Sequence, residues 1–193
     1  MMDMQTLIEE AANGSEAACE ALYRRFVKRA YRLAYGVLLN HEDAEEVVQD
    51  SFAYAFRTLY RFNSEKSSFK TWLYTITMSR CRNKRRRKLL PTVALADVAD
   101  WLAGGGPSPE REVAAAGVRE TVFAALRQLS PKLREAVILR YFDEMTYREM
   151  GAVLGCSPKT AESRVRLAHN ALYEILAAQP DALPDGVFGH APD

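Results

Sequence analysis

The sequence predicts an all-α protein, and three features predict it. Apolar residues recur at helical spacing along nearly the whole chain, and no stretch of four or more alternates as a half-buried strand requires. Glycine and proline gather at few places, chiefly Pro91 and the stretch from Ala103 to Pro109, where three glycines and two prolines can neither continue a helix nor pack a strand. The expected organisation is two small helical domains: residues 1–89, a flexible linker over 90–110, a second domain over 111–178, and a mobile Pro/Gly-containing tail over 179–193.

The elements follow in order. Ser15 is placed to cap a helix that carries Ala18, Leu22, Phe26, Leu33 and Val37 inward. Asn40 caps the next, with Glu42 and Asp43 meeting the positive end of its dipole. Over 41–60 that helix sets Ala44, Val47, Val48, Phe52, Phe56 and Leu59 on one stripe and turns Asp43, Glu46, Gln49 and Asp50 towards water. A polar loop, 63–68, precedes a helix with Phe69, Trp72, Leu73 and Ile76 inward. Its far end, Arg80 to Lys88, has seven bases in nine positions and no acid.

The second domain carries the sharpest local signal. Thr146 and Glu149 stand at capping-box spacing, and the helix they open ends at Gly155. Ser157 and Pro158 start another helix at once, as N-cap and first helical residue. Two helices joined so tightly make a helix-turn-helix, and Gly151 permits the close crossing. Ala161, Val165, Ala168 and Leu172 form the buried stripe, so Lys159, Glu162, Ser163 and Arg166 face outward, where a major groove would be met.

Composition narrows the function. A chain of 193 residues, 48% apolar and 26% charged, can build a core and stay soluble. No run approaches the ~18 apolar residues of a membrane span, and the acidic start lacks a secretory pattern, so a cytoplasmic protein with no membrane insertion is expected. Cys19, Cys81 and Cys156 lie far apart with no CxxC partner, and His41, His169 and His190 are scattered. No catalytic set, metal site or phosphate loop is recognisable, so neither catalysis nor a cofactor is expected.

The net charge of +1 hides strong blocks. Residues 61–90 hold ten bases and one acid, between acidic neighbours, which points to a polyanionic partner such as DNA. Arg80, Arg82, Lys84, Arg85, Arg86, Arg87 and Lys88 suit phosphates, because counterion release favours such a cluster. Trp72 has core spacing. Lys70, Tyr74 and Thr75 on the adjoining face, with Asn63, Ser64 and Lys66 in the loop, are better placed to meet unstacked bases. The acidic face of the 41–60 helix is equally compatible with simple solvation and with a basic protein partner.

The motifs resemble one family. Asp43-Ala-Glu-Glu-Val-Val-Gln-Asp-Ser-Phe52, Phe69-Lys-Thr-Trp-Leu-Tyr-Thr-Ile76, and Leu129-Ser-Pro-Lys-Leu-Arg-Glu-Ala-Val-Ile-Leu-Arg-Tyr141 through Arg164 are similar to successive motifs of the extracytoplasmic-function (ECF) sigma factors of the sigma-70 family. The resemblance implies a dissociable initiation subunit that binds core RNA polymerase, recognises promoter DNA and helps open it. It implies that Asp43, Glu46, Gln49 and Asp50 dock on the polymerase clamp. The loop 62–68 and the next helix would capture a flipped minus-ten base, and Arg80 to Lys88 would hold adjacent phosphates. The helix from Pro158, with Lys159, Thr160, Glu162, Ser163, Arg164 and Arg166, would read the minus-thirty-five element. An anti-sigma factor clamped between the domains is also implied. Ser79 stands where the family usually has Asn, and Glu162, Leu167 and His169 depart from its recognition helix. Glu162 would accept from a cytosine amino group, so a different promoter sequence is expected. The competing reading is a helix-turn-helix regulator that binds duplex DNA without polymerase.

Overall fold

The computed structural model describes residues 3–88 and 120–178, and every regular element among them is helical. The chain runs through α1 (Met4–Ala12), α2 (Glu16–Leu38), α3 (His41–Arg57), a 3-10 turn (Leu59–Arg61) and α4 (Phe69–Lys88). After the gap come α5, helical over 120–128, then α6 (Pro131–Tyr141), α7 (Tyr147–Leu154) and α8 (Pro158–Ala177). The expected linker 90–110 and tail 179–193 lie outside the described residues, as does the join between the two halves.

The caps behave as their chemistry requires. The Ser15 hydroxyl accepts from the Ala18 N–H at 3.3 Å, and the Asn40 side chain from the Asp43 N–H at 2.9 Å. One boundary differs from expectation: α3 stops at Arg57, three residues short of 60. The Thr58 hydroxyl donates back to the Tyr54 carbonyl, and the 3-10 turn then carries Leu59 into the core. Leu22, Leu33, Val37, Val47, Phe52, Leu73 and Met78 form the centre of the first bundle. Trp72 and Ile76 are half-buried against that core, and Trp72 sits 5.4 Å from Phe62 and 5.8 Å from Phe69, ring to ring.

The second half packs directly on the first. Helix α6 is buried on nearly every side, with Ala136, Val137, Ile138 and Leu139 all in the core. It lies against α2 so closely that a Cβ on Gly36 would come 2.6 Å from Ile138 Cδ1. Ile138 is fully buried and has nowhere to retreat. Gly36→Ala is therefore expected to weaken the packing of the halves by about 1–3 kcal/mol, although alanine suits α2 itself. Faster amide exchange in α6 with α2 still protected would verify it; unaltered α6 protection would refute it.

Arg134 fastens the same seam. Its guanidinium donates to the carbonyls of Leu126 (2.7 Å), Arg127 (2.9 Å) and Leu129 (3.1 Å) at the end of α5, and to Val37 (3.3 Å) at the end of α2. One cation thus satisfies the orphan carbonyls of two helix ends from different halves.

The helix-turn-helix forms as the spacing predicts. Thr146 and Glu149 make the reciprocal capping box, Gly155 ends α7 at φ 68, and the Ser157 hydroxyl accepts from the Thr160 N–H at 3.1 Å. A Cβ on Gly151 would meet the Cys156 carbonyl oxygen at 2.8 Å, so the turn backbone, more than α8, demands the glycine. Burial works to raise the Glu149 carboxyl, but the N–H and hydroxyl of Thr146 outweigh it and hold the group below its ordinary value. A depressed folded value means the contribution is present above the unfolded pKa, near ~4.3, and is lost as pH falls through the folded one. Amides in the first turn of α7 are expected to lose protection on acidification below about pH 4. Those of α8, capped by a hydroxyl, serve as the unaffected control.

Candidate nucleic-acid interface

Helix α4 projects the basic run, and its cations are not idle. Lys84 is paired with Glu46 and lies 3.6 Å from Asp43, while Lys88 reaches Asp43 at 2.5 Å. The hydrogen bond to Glu46, helped by the charges of Glu46 and Asp43, holds the Lys84 ammonium above its ordinary value despite some burial. Arg80 stacks on the Tyr54 ring at 4.9 Å and approaches Asp50 at 3.8 Å. Arg82 grips one oxygen of Glu135 with Nε at 3.1 Å and Nη2 at 2.7 Å, and Arg85 takes the other at 3.2 Å. Arg86 and Arg87 remain exposed.

Two expectations need correction. Asp43 does not face water: it is 7% exposed, because Lys84 and Lys88 close over it. The acidic face of α3 is in large part the counter-charge of the basic helix beside it. Tyr74 is not a surface ring either. It is fully buried where α4 meets the second half, beside Asp143. Burial, aided by the Asp143 charge, pushes its hydroxyl far above its usual value, and burial likewise raises the Asp143 carboxyl. Tyr74 cannot meet a base while the halves are packed.

The remaining positions stay accessible. Asn63, Ser64 and Lys66 are exposed on the loop, which the Asn63 side chain braces by accepting from the Glu65 N–H at 2.8 Å. Lys70 is half-buried, its ammonium 3.5 Å from the Asp143 carbonyl oxygen. On α8, Lys159, Thr160, Glu162 and Arg166 are exposed and Ser163 is half-buried, while Ala161, Val165 and Ala168 are inside. Leu172, expected on the buried stripe, is partly covered. Arg164 turns towards the first half and lines a cleft there. Glu46, Gln49 and Asp50 are exposed on α3.

Sequence reasoning missed Glu135, 1% exposed and the partner of two arginines from the other half. Its signal was present: Glu135 directly precedes four consecutive apolar residues, so a helix buried all round had to take its acid inside with it. Among the described residues no group of three His, Cys, Asp or Glu side chains can hold a metal, and no helix is long and apolar enough to cross a membrane.

The comparisons with known proteins agree with this architecture. Residues 22–89 match the family sigma-70 region 2, and residues 119–172 match sigma-70, region 4. The chain is 30% identical to the ECF RNA polymerase sigma-E factor of Salmonella typhimurium over 176 residues, covering 87% of this chain and 91% of that protein. It is 33% identical to the ECF RNA polymerase sigma factor SigE of Mycolicibacterium smegmatis over 170 residues, 86% of this chain but 65% of that longer protein. The sigma factor RpoE from Bartonella quintana, solved in complex with the anti-sigma factor NepR, superposes with a TM-score of 0.67 at 26% identity. That alignment covers 83% of this chain and 97% of that one. With both regions present in order, the chain belongs to the ECF sigma factors of the sigma-70 family.

Proposed function

We propose that this chain is the dissociable promoter-recognition subunit of a bacterial RNA polymerase. It binds the core enzyme, brings it to a promoter and assists in opening the duplex. The observation that carries this reading is the coupling, in one chain and in family order, of a region 2 helical bundle with a region 4 helix-turn-helix. Glu46, Gln49 and Asp50 on α3 dock on the polymerase. Asn63, Ser64, Lys66 and Lys70 stand at the minus-ten bases, and Arg80, Arg82, Lys84, Arg85, Arg86 and Arg87 hold phosphates beside them. Lys159, Thr160, Glu162, Ser163, Arg164 and Arg166 on α8 meet the minus-thirty-five element.

The chemistry is that of binding alone. Extruding a base from the stack costs a few kcal/mol, and a basic surface that releases counterions offsets it. No bond is made or broken by the protein, which acts in the cytoplasm where transcription takes place. Arg82 and Arg85 spend their hydrogen bonds on Glu135 in the packed form, so phosphates gain them only when the halves part. An anti-sigma factor, of the kind seen on the Bartonella quintana protein, is the natural regulator of that step.

Run-off transcription with purified core polymerase on a genomic promoter library tests the proposal. Specific start sites that appear only with both proteins are expected. Tight, sequence-specific binding to duplex DNA by the free protein, with no effect on polymerase, would establish the helix-turn-helix regulator instead.

A further inference from the structure

The packed halves enclose a cleft of about 450 Å³ whose walls carry Arg82, Arg85 and Arg86 from α4, Lys132 from α6 and Arg164 from α8. Glu135 is the one carboxylate there, and both its oxygens are already taken by Arg82 and Arg85. Among the described residues no acid pairs with Arg86, which donates to the Asn83 side chain, or with Lys132 or Arg164, so three further cations line one small space. Like charges gathered by packing repel one another, and an anion between them would reverse the sign of that interaction.

We propose that this cleft is a binding site for a compact oligophosphate. Guanidinium groups match phosphate oxygens in pairs, and the volume falls within the range of small-molecule sites. A duplex, far wider than such a cleft, cannot enter it. Leu154 is the one aliphatic residue on the walls, so the recognised chemistry is the phosphate chain, whether free or carried by a nucleoside. Because the walls come from both halves, the site exists only while they are packed, and its ligand favours that form. The same ligand occupies Arg86 and Arg164, keeps Arg82 and Arg85 on Glu135 by favouring the packed form, and therefore competes with promoter DNA.

Calorimetric titration of the full chain at matched ionic strength tests this, with sodium tripolyphosphate in one arm and ATP in the other. Saturable binding of one tripolyphosphate per chain is expected, with a rise in Tm. Lys132→Ala is expected to weaken it about tenfold, the scale of one charge-assisted hydrogen bond. Lys132 is exposed at the start of α6 and outside the surfaces assigned to DNA and polymerase, so this variant folds and keeps its promoter contacts. Lys28→Ala, an exposed charge on α2, is expected to change nothing. Equal affinity for the two probes identifies the phosphates alone as the ligand; tighter ATP binding identifies a nucleotide. Absence of saturable binding, or equal losses in the Lys28 and Lys132 variants, would overturn the proposal. Neither polymerase nor DNA enters the titration, so its failure leaves the sigma-factor reading untouched.

Discussion

Alanine at both Arg82 and Arg85 is expected to cost the packed molecule about 3–5 kcal/mol, because it strands the buried Glu135 carboxylate without a partner. The asymmetry between the partners makes the prediction sharp. The arginine side chains are 34% and 30% exposed and can turn to water, whereas the Glu135 side chain, at 2%, cannot. Glu135→Gln is accordingly expected to cost only about 1–2 kcal/mol, as an amide keeps a hydrogen-bond acceptor and removes the buried charge. The double-alanine loss also has a ceiling. Once the halves separate, Glu135 meets solvent and its penalty vanishes, so the variant is expected to open before it unfolds. Small-angle scattering would show a larger radius of gyration at a temperature where circular dichroism still reports full helix. A Glu135→Gln variant less stable than the double-alanine variant would mean that desolvation does not govern this contact.

That contact also marks the limit of what the sequence displays. Helices α2, α3, α7 and α8 are readable because their signals are local: Ser15, Asn40, Thr146, Glu149, Ser157 and Pro158 act within one turn of their own positions. The inward stripes of α3 and α8 follow from a period of 3.6 residues for the same reason. Periodicity identifies a buried face without naming what covers it. Tyr74 therefore read as a surface ring, whereas it is buried beside Asp143, more than 65 residues further on. Asp43 read as solvated because both its lysine partners lie a helix away. The outer face of α8 stayed legible since Lys159, Thr160, Glu162 and Arg166 are exposed among the described residues, and the loop around Asn63 for the same cause. Charge blocks carried real information too: the surplus over residues 61–90 predicted a polyanionic partner, but not that α3 and Glu135 neutralise part of it within the chain.

Asp43 yields the second large effect, and it separates two roles that the sequence could not. As a polymerase contact, its loss would weaken core binding and leave the free protein intact. As the internal brace of α4, its loss frees Lys88, leaves Lys84 to Glu46 alone, and strips a carboxylate from the first turn of α3. The geometry favours the brace: Asp43 is 7% exposed and holds two ammonium groups, and α3 has its positive end beneath it. Asp43→Ala is expected to destabilise the free chain by about 2–3 kcal/mol, less than a fully buried pair because Lys88 is 54% exposed and regains water. The released Lys88 then serves phosphates, so affinity for a promoter-length duplex is expected to rise at low salt and to fall more steeply as salt increases. Glu46→Gln, at an exposed position of the same face, provides the contrast, with little change in stability and a lowered affinity for core polymerase. Thermal melts of the free variants, set beside competition with wild-type protein for core enzyme, resolve the two. A stable Asp43→Ala protein that has lost only polymerase binding would return Asp43 to the docking surface and remove it from the brace.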